Sequence, residues 1–387
     1  MERAVAKAVN GRPLTEYLIP RGGWPKLARR LANGPIAVGY LGGSLTMMKQ
    51  GWRPLFHAWL NRQYPRDVPH RELHVGRGGV GSASGVFFVQ DEICGHGPDL
   101  VFVEYAINDS YDFLTPPAVR REAVEGIVRN IRARHGDCDL CFVYMHHILR
   151  TEAIDQAIED HEAVAAHYGL PSIRVGQFLR DLVASGAWSF RGEEGRPELL
   201  RDECHPVAAG NQLIAEHMGA AFQALVEGTV ASPDSRPMPP PLTRTPLEGG
   251  RVVPVDETMV QGDFEKELRQ VGNYGSPVSW ISLPERSRLR IRLDGVLFGM
   301  FVVVGPRSGV VQVAGGSFST RQSLLDRWCT YDRISTCIVA TDPESAPGPG
   351  TEVVIELGAE APDYTVCPKL EAPPAERRLD VIGLFVI

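Results

Sequence analysis

Residues 36–46 read Ile36-Ala37-Val38-Gly39-Tyr40-Leu41-Gly42-Gly43-Ser44-Leu45-Thr46. An apolar run that ends in two glycines and a serine, then opens into the amphipathic segment Trp52–Gln63, is the pattern of a buried strand turning sharply into a helix. Ser44 falls on that turn. Its hydroxyl would stand at the carboxyl edge of a sheet and its own N–H at the start of a helix, where negative charge is favoured. Two readings of Ser44 follow from this stretch: a helix N-cap, the ordinary work of a serine, and a nucleophile.

Outward from this turn, strand patterns recur at Glu72–Val75, Leu100–Tyr105, Leu140–Met145 and Ser172–Val175. Helical patterns lie between them at Gly85–Ile93, Pro117–Arg134 and Thr151–Tyr168, and Val207–Val226 closes the series. Apolar strands alternating with amphipathic helices predict a parallel sheet covered on both faces, with ligands bound beyond the carboxyl ends of its strands. Residues 1–34 are expected to be a leader packed on this first domain, with one helical pattern at Trp24–Ala32. The first domain is predicted to span 35–231. The proline density of 232–250 cannot continue a helix and predicts a stiff extended linker. Beyond it, segments such as Arg288–Leu293, Leu297–Val304, Val310–Ala314, Glu352–Leu357 and Val381–Ile387 are short, β-branched or alternating, and separated by Gly, Pro and Asp. They predict a β-sandwich, jelly-roll-like, over 251–387.

At 387 residues, with 43% hydrophobic and 22% charged side chains, the chain has the composition of a globular protein large enough for two cores. The net charge of −7 argues against nucleic acid as a partner, because neutralising phosphates needs a clustered basic surface. Short basic clusters such as Arg129–Arg134 read as solvated helix faces. The first ten residues carry charges where a signal peptide needs its apolar centre, and the run Val296–Val304 is too short to span a bilayer. These features predict a cytoplasmic protein without a membrane partner. Seven scattered cysteines fit a reducing compartment better than a disulfide framework.

Three further stretches carry residue types suited to chemistry. His74–Ser82, His-Val-Gly-Arg-Gly-Gly-Val-Gly-Ser, packs glycines into a strand-to-helix turn and so brings backbone N–H groups close to something. It matches neither a P-loop nor a dinucleotide fingerprint. Val101–Ser110 delivers Asn108 and Asp109 to the same sheet edge as Ser44; the Asn108 amide can donate to an anionic oxygen, and Asn-Asp-Ser is also common turn chemistry. In Arg201–Pro206, Asp202 and His205 stand three apart in a loop that Pro206 keeps from being helical. The carboxylate can curl back on the imidazole as a base and its orienting partner, or the pair can cap the following helix.

Other candidates weigh less. Cys138-Asp-Leu-Cys141 enters a strand and has no second pair to complete a zinc site, so neither metal nor redox chemistry is assigned to it. His146 and His147 follow a strand on the functional edge, where pocket lining and a solvated loop are both open readings. Cys204 adjoins His205, but adjacent side chains diverge. His57 is read as structural. No cofactor and no metal are called for.

Taken in order, Gly42-Gly43-Ser44-Leu45, the glycine turn around Gly79, Asn108-Asp109 and Asp202-x-x-His205-Pro206 resemble the four blocks of the SGNH (GDSL-like) hydrolase family, over roughly residues 35–228. The resemblance implies a three-layer α/β/α, flavodoxin-like catalytic domain and a serine esterase. It implies Ser44 as nucleophile, His205 as base and Asp202 as its partner, with an oxyanion hole formed by the N–H of Ser44, the N–H of Gly79 and the side chain of Asn108. Two departures stand out. Gly43 replaces the aspartate of the family's name motif, a variation expected among carbohydrate-acting members. His74 stands where the second block has asparagine, which leaves Gly78, Gly79 and Gly81 in competition; Gly79 has the matching spacing.

By analogy with the family, the expected substrate is a short O-acyl ester, O-acetyl foremost, on a small molecule or glycan. Two alternatives stay open: an O-acyltransferase of polysaccharide decoration on the same triad, and a silent glycan-binding protein that keeps the fold. The second domain is expected to take no part in the chemistry, and oligomerisation through it is one role open to it.

Overall fold

Strand β2, Ala37–Gly42, is buried along its whole length, as an unbroken apolar run at the centre of a sheet must be. The structure is a computed structural model and describes all residues except 1–7, 10–11, 229–237, 246, 273–276 and 371. It divides into two compact units, residues 1–246 and 247–387.

In the first unit, β2 is joined by β3 (Arg71–Gly76), β4 (Leu100–Glu104), β5 (Asp139–Val143) and β6 (Ser172–Ile173), all parallel. The two-residue strand β1, Leu18–Ile19, runs antiparallel to β6 at the edge. The spatial order is β1-β6-β5-β4-β2-β3. The sheet is therefore mixed, not wholly parallel as expected. A strand of two residues has no periodicity to betray it, and it lies within the stretch read as a leader. From β2 the chain goes first to one side and then to the other, so the topological switch point falls between β2 and β4, where such folds bind ligands.

Helices α1 (Pro25–Asn33), α3 (Trp52–Gln63) and α9 (Ala208–Glu227) cover one face. Their Leu27, Phe56 and Phe222 share a core with Val38, Tyr40 and Phe102 of the sheet. A Cβ on Gly219 would lie 2.7 Å from the Trp59 ring, so the absence of a side chain there lets α9 approach α3. Phe142, on the opposite side of β5 from Cys141 and Val143, meets His161 of α7 (Thr151–Tyr168) at 5.7 Å, which places α7 on the other face beside α6 (Arg120–Arg134). Val175, read as the end of a strand, instead opens α8, Val175–Ala184.

Part of the proline-rich linker, 232–237 and 246, lies outside the described residues. The remainder of its first half is no free spacer. Glu125, buried on α6, accepts the N–H groups of Leu242 and Thr243 and the Thr243 hydroxyl. Arg129 donates to Pro239 O at 3.3 Å, and His167 to Pro240 O at 2.8 Å. Prolines lack a donor but keep their carbonyls, and Pro239 and Pro240 are held by theirs.

The second unit consists of two antiparallel sheets. One has the order Val260–Gln261, Arg288–Arg292, Glu352–Leu357, Val310–Gly315, Phe318–Ser323. The other runs Glu265–Arg269, Val278–Pro284, Arg378–Val386, Leu297–Val304, Arg333–Ile338, with Arg251–Pro254 also paired to Arg378–Val386. Leu289, Val313 and Ile355 of the first sheet share a core with Ile281, Val302 and Val381 of the second, which makes a sandwich. No helix among the described residues is long and apolar enough to cross a membrane.

Candidate active site

At the end of β2 the chain turns through Gly42 and Gly43 into a single helical turn, α2, Ser44–Met47. Gly43 N–H donates to Glu104 O at 3.2 Å, which ties this turn to the end of β4. Gly43 has φ −83°, open to any residue, so its requirement is one of space: a Cβ there would lie 2.2 Å from Asn108 Oδ1. Ser44 is thus set at the switch point, half-buried, with Asn108 against the residue before it.

His205 comes to Ser44 from the loop before α9. Its Nε2 lies 2.8 Å from Ser44 Oγ, and its Nδ1 lies 2.9 Å from both carboxylate oxygens of Asp202. An ionised Asp202 can only accept, so Nδ1 carries the ring proton, Nε2 is bare, and the Ser44 hydroxyl donates to it. Asp202 Oδ1 also accepts the N–H groups of Cys204 at 3.0 Å and His205 at 2.8 Å. Burial pushes the Asp202 carboxyl upward, but these two N–H groups and the imidazole outweigh it and hold the group below its usual value. The loop itself is fixed by Arg201 N–H to His205 O and by Ile148 N–H to Glu203 O, each 2.9 Å.

Cys204 Sγ is 3.5 Å from His205 Nδ1, on the Asp202 side of the ring and away from Ser44. Burial pushes its thiol well up, so it is held protonated and is no rival nucleophile. Among the described residues, Asp202, Cys204 and His205 are the one group of His, Cys, Asp or Glu side chains close enough to share a metal ion. Their carboxylate and imidazole already bond each other, which suits a proton-transfer loop better than a ligand set.

Asn108 is on the short helix α5, Ala106–Asp109, after β4, and is 8% exposed. In the glycine turn, the Cβ position of Gly78 lies 3.8 Å from Ser44 Cβ, and Gly79 adopts φ +71°, a conformation that favours glycine. The structure therefore brings Ser44, His205, Asp202, Asn108 and the turn of residues 78–81 to one edge of the sheet.

Residues 40–213 match the model of the GDSL-like lipase/acylhydrolase family. The first unit is a GDSL-like (SGNH) hydrolase domain. No curated protein sequence matches the chain. The whole chain is similar in fold to a solved two-domain esterase active on acetylated mannans, with 18% identity, TM-score 0.70, and coverage of 96% of this chain and 97% of that one. The same esterase co-crystallised with mannopentaose gives 18% identity, TM-score 0.72 and the same coverage.

Several groups in the GDSL-like domain have surroundings that the sequence reading does not give. Glu104, 1% exposed beneath the Ser44 turn, accepts the Thr46 hydroxyl at 3.0 Å through Oε2, while its Oε1 has no partner among the described residues. Burial, against the bonds from Thr46 and Gly43, pushes its carboxyl up to about 8, so it is a neutral acid at pH 7. Asp109 and His161 form a second buried pair. Carboxylates at strand ends and histidines on amphipathic helices are too common for Glu104 or His161 to be singled out locally, and nothing beside Asp109 names its partner. His146 and His147 are each only 4% exposed, so neither belongs to a solvated loop. His146 packs against Phe190 with the rings tilted, and His147 Nδ1 accepts Leu149 N–H at 3.2 Å, leaving Nε2–H to face Tyr111 OH at 3.1 Å. His57 accepts from Tyr40 OH and donates to His70 O, a satisfied core histidine.

Proposed function

We propose that the protein is a serine esterase that removes short O-acyl groups, acetyl foremost, from a carbohydrate through an acyl-Ser44 intermediate. The observation that carries this reading is the continuous relay from Asp202 through His205 to Ser44 Oγ, with contacts of 2.9 and 2.8 Å. The Ser44 hydroxyl gives its proton to Nε2 as Oγ bonds to the acyl carbon. The carbonyl oxygen becomes an oxyanion, which accepts hydrogen bonds from the N–H groups of Ser44 and Gly79 and the side-chain amide of Asn108. His205 then protonates the sugar oxygen as its bond to the acyl carbon breaks, so the sugar leaves with a free hydroxyl. Water, deprotonated by the same nitrogen, cleaves the acyl-enzyme, and Ser44 recovers its proton. Asp202 stays ionised and stabilises the imidazolium. The carbohydrate part of the proposal is supported by the likeness over both units to the esterase active on acetylated mannans.

Turnover of p-nitrophenyl acetate and of acetylated oligosaccharides by the wild-type chain, lost in Ser44→Ala with the melting temperature unchanged, is the expected result. Undiminished turnover in Ser44→Ala overturns the assignment. Product that forms only when a sugar acceptor is added would favour the transferase, and failure to react with a fluorophosphonate would favour a silent glycan binder.

A further inference from the structure

Behind the donors assigned to the oxyanion lies a buried pair that the acyl-transfer scheme leaves unused. Asp109 follows Asn108 on α5, and its side chain is fully shielded from solvent. Its Oδ2 accepts His161 Nε2–H at 2.7 Å. Its Oδ1 accepts the N–H of Ser82 and the hydroxyl of Thr115, each at 2.7 Å. Thr115 Oγ1 in turn faces Ala83 N–H at 3.4 Å. One carboxylate thereby ties together the turn that carries Asn108, the start of the short helix α4 (Ser82–Gly85) that ends the glycine turn, and helix α7.

The fit leaves no slack. A Cβ at Gly81 would lie 2.1 Å from Thr115 Oγ1 and 2.7 Å from Asp109 Oδ1, so the turn is pressed against the carboxylate itself. Stability does not account for such a pair. His161 is 0% exposed, packs against Phe142 and Tyr144, and leaves Nδ1 without a partner among the described residues. An apolar filling of the same volume would spare both the desolvation of the pair and the orphaned nitrogen. Burial pushes the Asp109 carboxyl upward, and the bonds from His161, Ser82 and Thr115 outweigh it, holding the group below its usual value.

We infer that Asp109 and His161 are positioning residues of the ester-cleaving site: together they clamp the glycine turn of residues 79–81 against the Asn108 turn and so set the spacing of two of the three oxyanion donors. The inference rests on the esterase reading above. Oxyanion donors act through being held in place before charge develops, and a sub-ångström loosening of their support is enough to weaken them. A carboxylate bonded at once to both turns supplies that support, and His161 keeps it ionised and aimed.

The test compares His161→Leu, which removes the donor, with His161→Gln, whose amide nitrogen can stand where Nε2 stands, using p-nitrophenyl acetate. His161→Leu should lower kcat by about ten- to a hundredfold with KM within about threefold, and His161→Gln should recover most of the loss. In an Asn108→Ala background the cost of His161→Leu should shrink by at least about threefold, because one donor that it aligns is already gone. Should His161→Leu fail to fold, Thr115→Val removes a single donor to Asp109 and should lower kcat by roughly three- to tenfold. A folded His161→Leu with kcat within twofold of wild type, or a cost that is the same in both backgrounds, overturns the inference alone. A wild-type protein without turnover overturns the esterase reading and takes this inference with it.

Discussion

Asp202 Oδ1 accepts the main-chain N–H of His205 at 2.8 Å and, together with Oδ2, the ring Nδ1–H of the same residue at 2.9 Å. The bond that shapes the loop and the bond that sets the tautomer thus share an atom, and substitution can separate them. Asp202→Asn keeps an oxygen for the main-chain N–H groups but loses the charge that fixes the ring proton on Nδ1. With the proton on Nε2 the ring can no longer accept from Ser44. Asp202→Asn should therefore keep the melting temperature within a few degrees while kcat on p-nitrophenyl acetate falls by about 10²- to 10⁴-fold. A fall of less than tenfold would separate Asp202 from the chemistry.

Gly43 and Asn108 make a second such relationship. The Cβ position of Gly43 lies 2.2 Å from Oδ1, 2.8 Å from Cγ and 3.0 Å from Nδ2 of Asn108, so any side chain at 43 must displace the whole carboxamide. The backbone at 43 is unstrained, which confines the expected damage to Asn108. Gly43→Ala should thus fold normally and lose activity on the order of 10- to 100-fold, approaching the loss in Asn108→Ala. The double variant should be little worse than Asn108→Ala. Additive losses would show that Gly43 acts by some other route.

Two buried groups bound the stability of the first unit in opposite directions of pH. His217, 0% exposed, lies flat on Phe178 with ring centroids 4.4 Å apart and has no hydrogen-bond partner for either nitrogen among the described residues. Burial pushes it down to about 3, so the native state refuses a proton that the unfolded chain accepts below its ordinary value near 6.5. Its contribution is present above that value and is lost as pH falls toward 3, at up to about 1.4 kcal/mol per pH unit. Glu104 is the reverse case: its carboxyl is raised to about 8, so its contribution is present below its ordinary value and drains away as pH rises through 8. Melting temperatures taken from pH 4 to 9 should show the acid limb flattened in His217→Phe and the alkaline limb flattened in Glu104→Gln. Parallel curves for wild type and variants would refute both assignments.

The parts legible from the sequence alone were those whose signals are local. The run from Ile36 ending in Gly42-Gly43-Ser44 announces a strand and a tight turn through composition, and Thr151–Tyr168 appears in the structure with the bounds that its periodicity predicts. The approach of His205 to Ser44 is another matter: nothing in either segment says that position 205 returns to position 44, and only the order of four blocks suggests it. Glu104 and His161 fall below that threshold, and Asp109, legible beside Asn108, gives no sign of its partner. Asp109 and His161 are 52 positions apart, and each taken alone looks ordinary. Leu18–Ile19 and Val175 are illegible for a different reason, since a strand of two residues and an apolar helix start both lack enough length for a period to declare itself.

The strap that Glu125 holds moves the true edge of the first unit. A chain cut at residue 231, where the sequence pattern ends the first domain, would shed Leu242 and Thr243 and leave a shielded carboxylate facing Tyr168 alone, three donors short. Carrying the excision through to Thr245 keeps that anion satisfied, so residues 238–245 count as the last course of masonry of the domain before them.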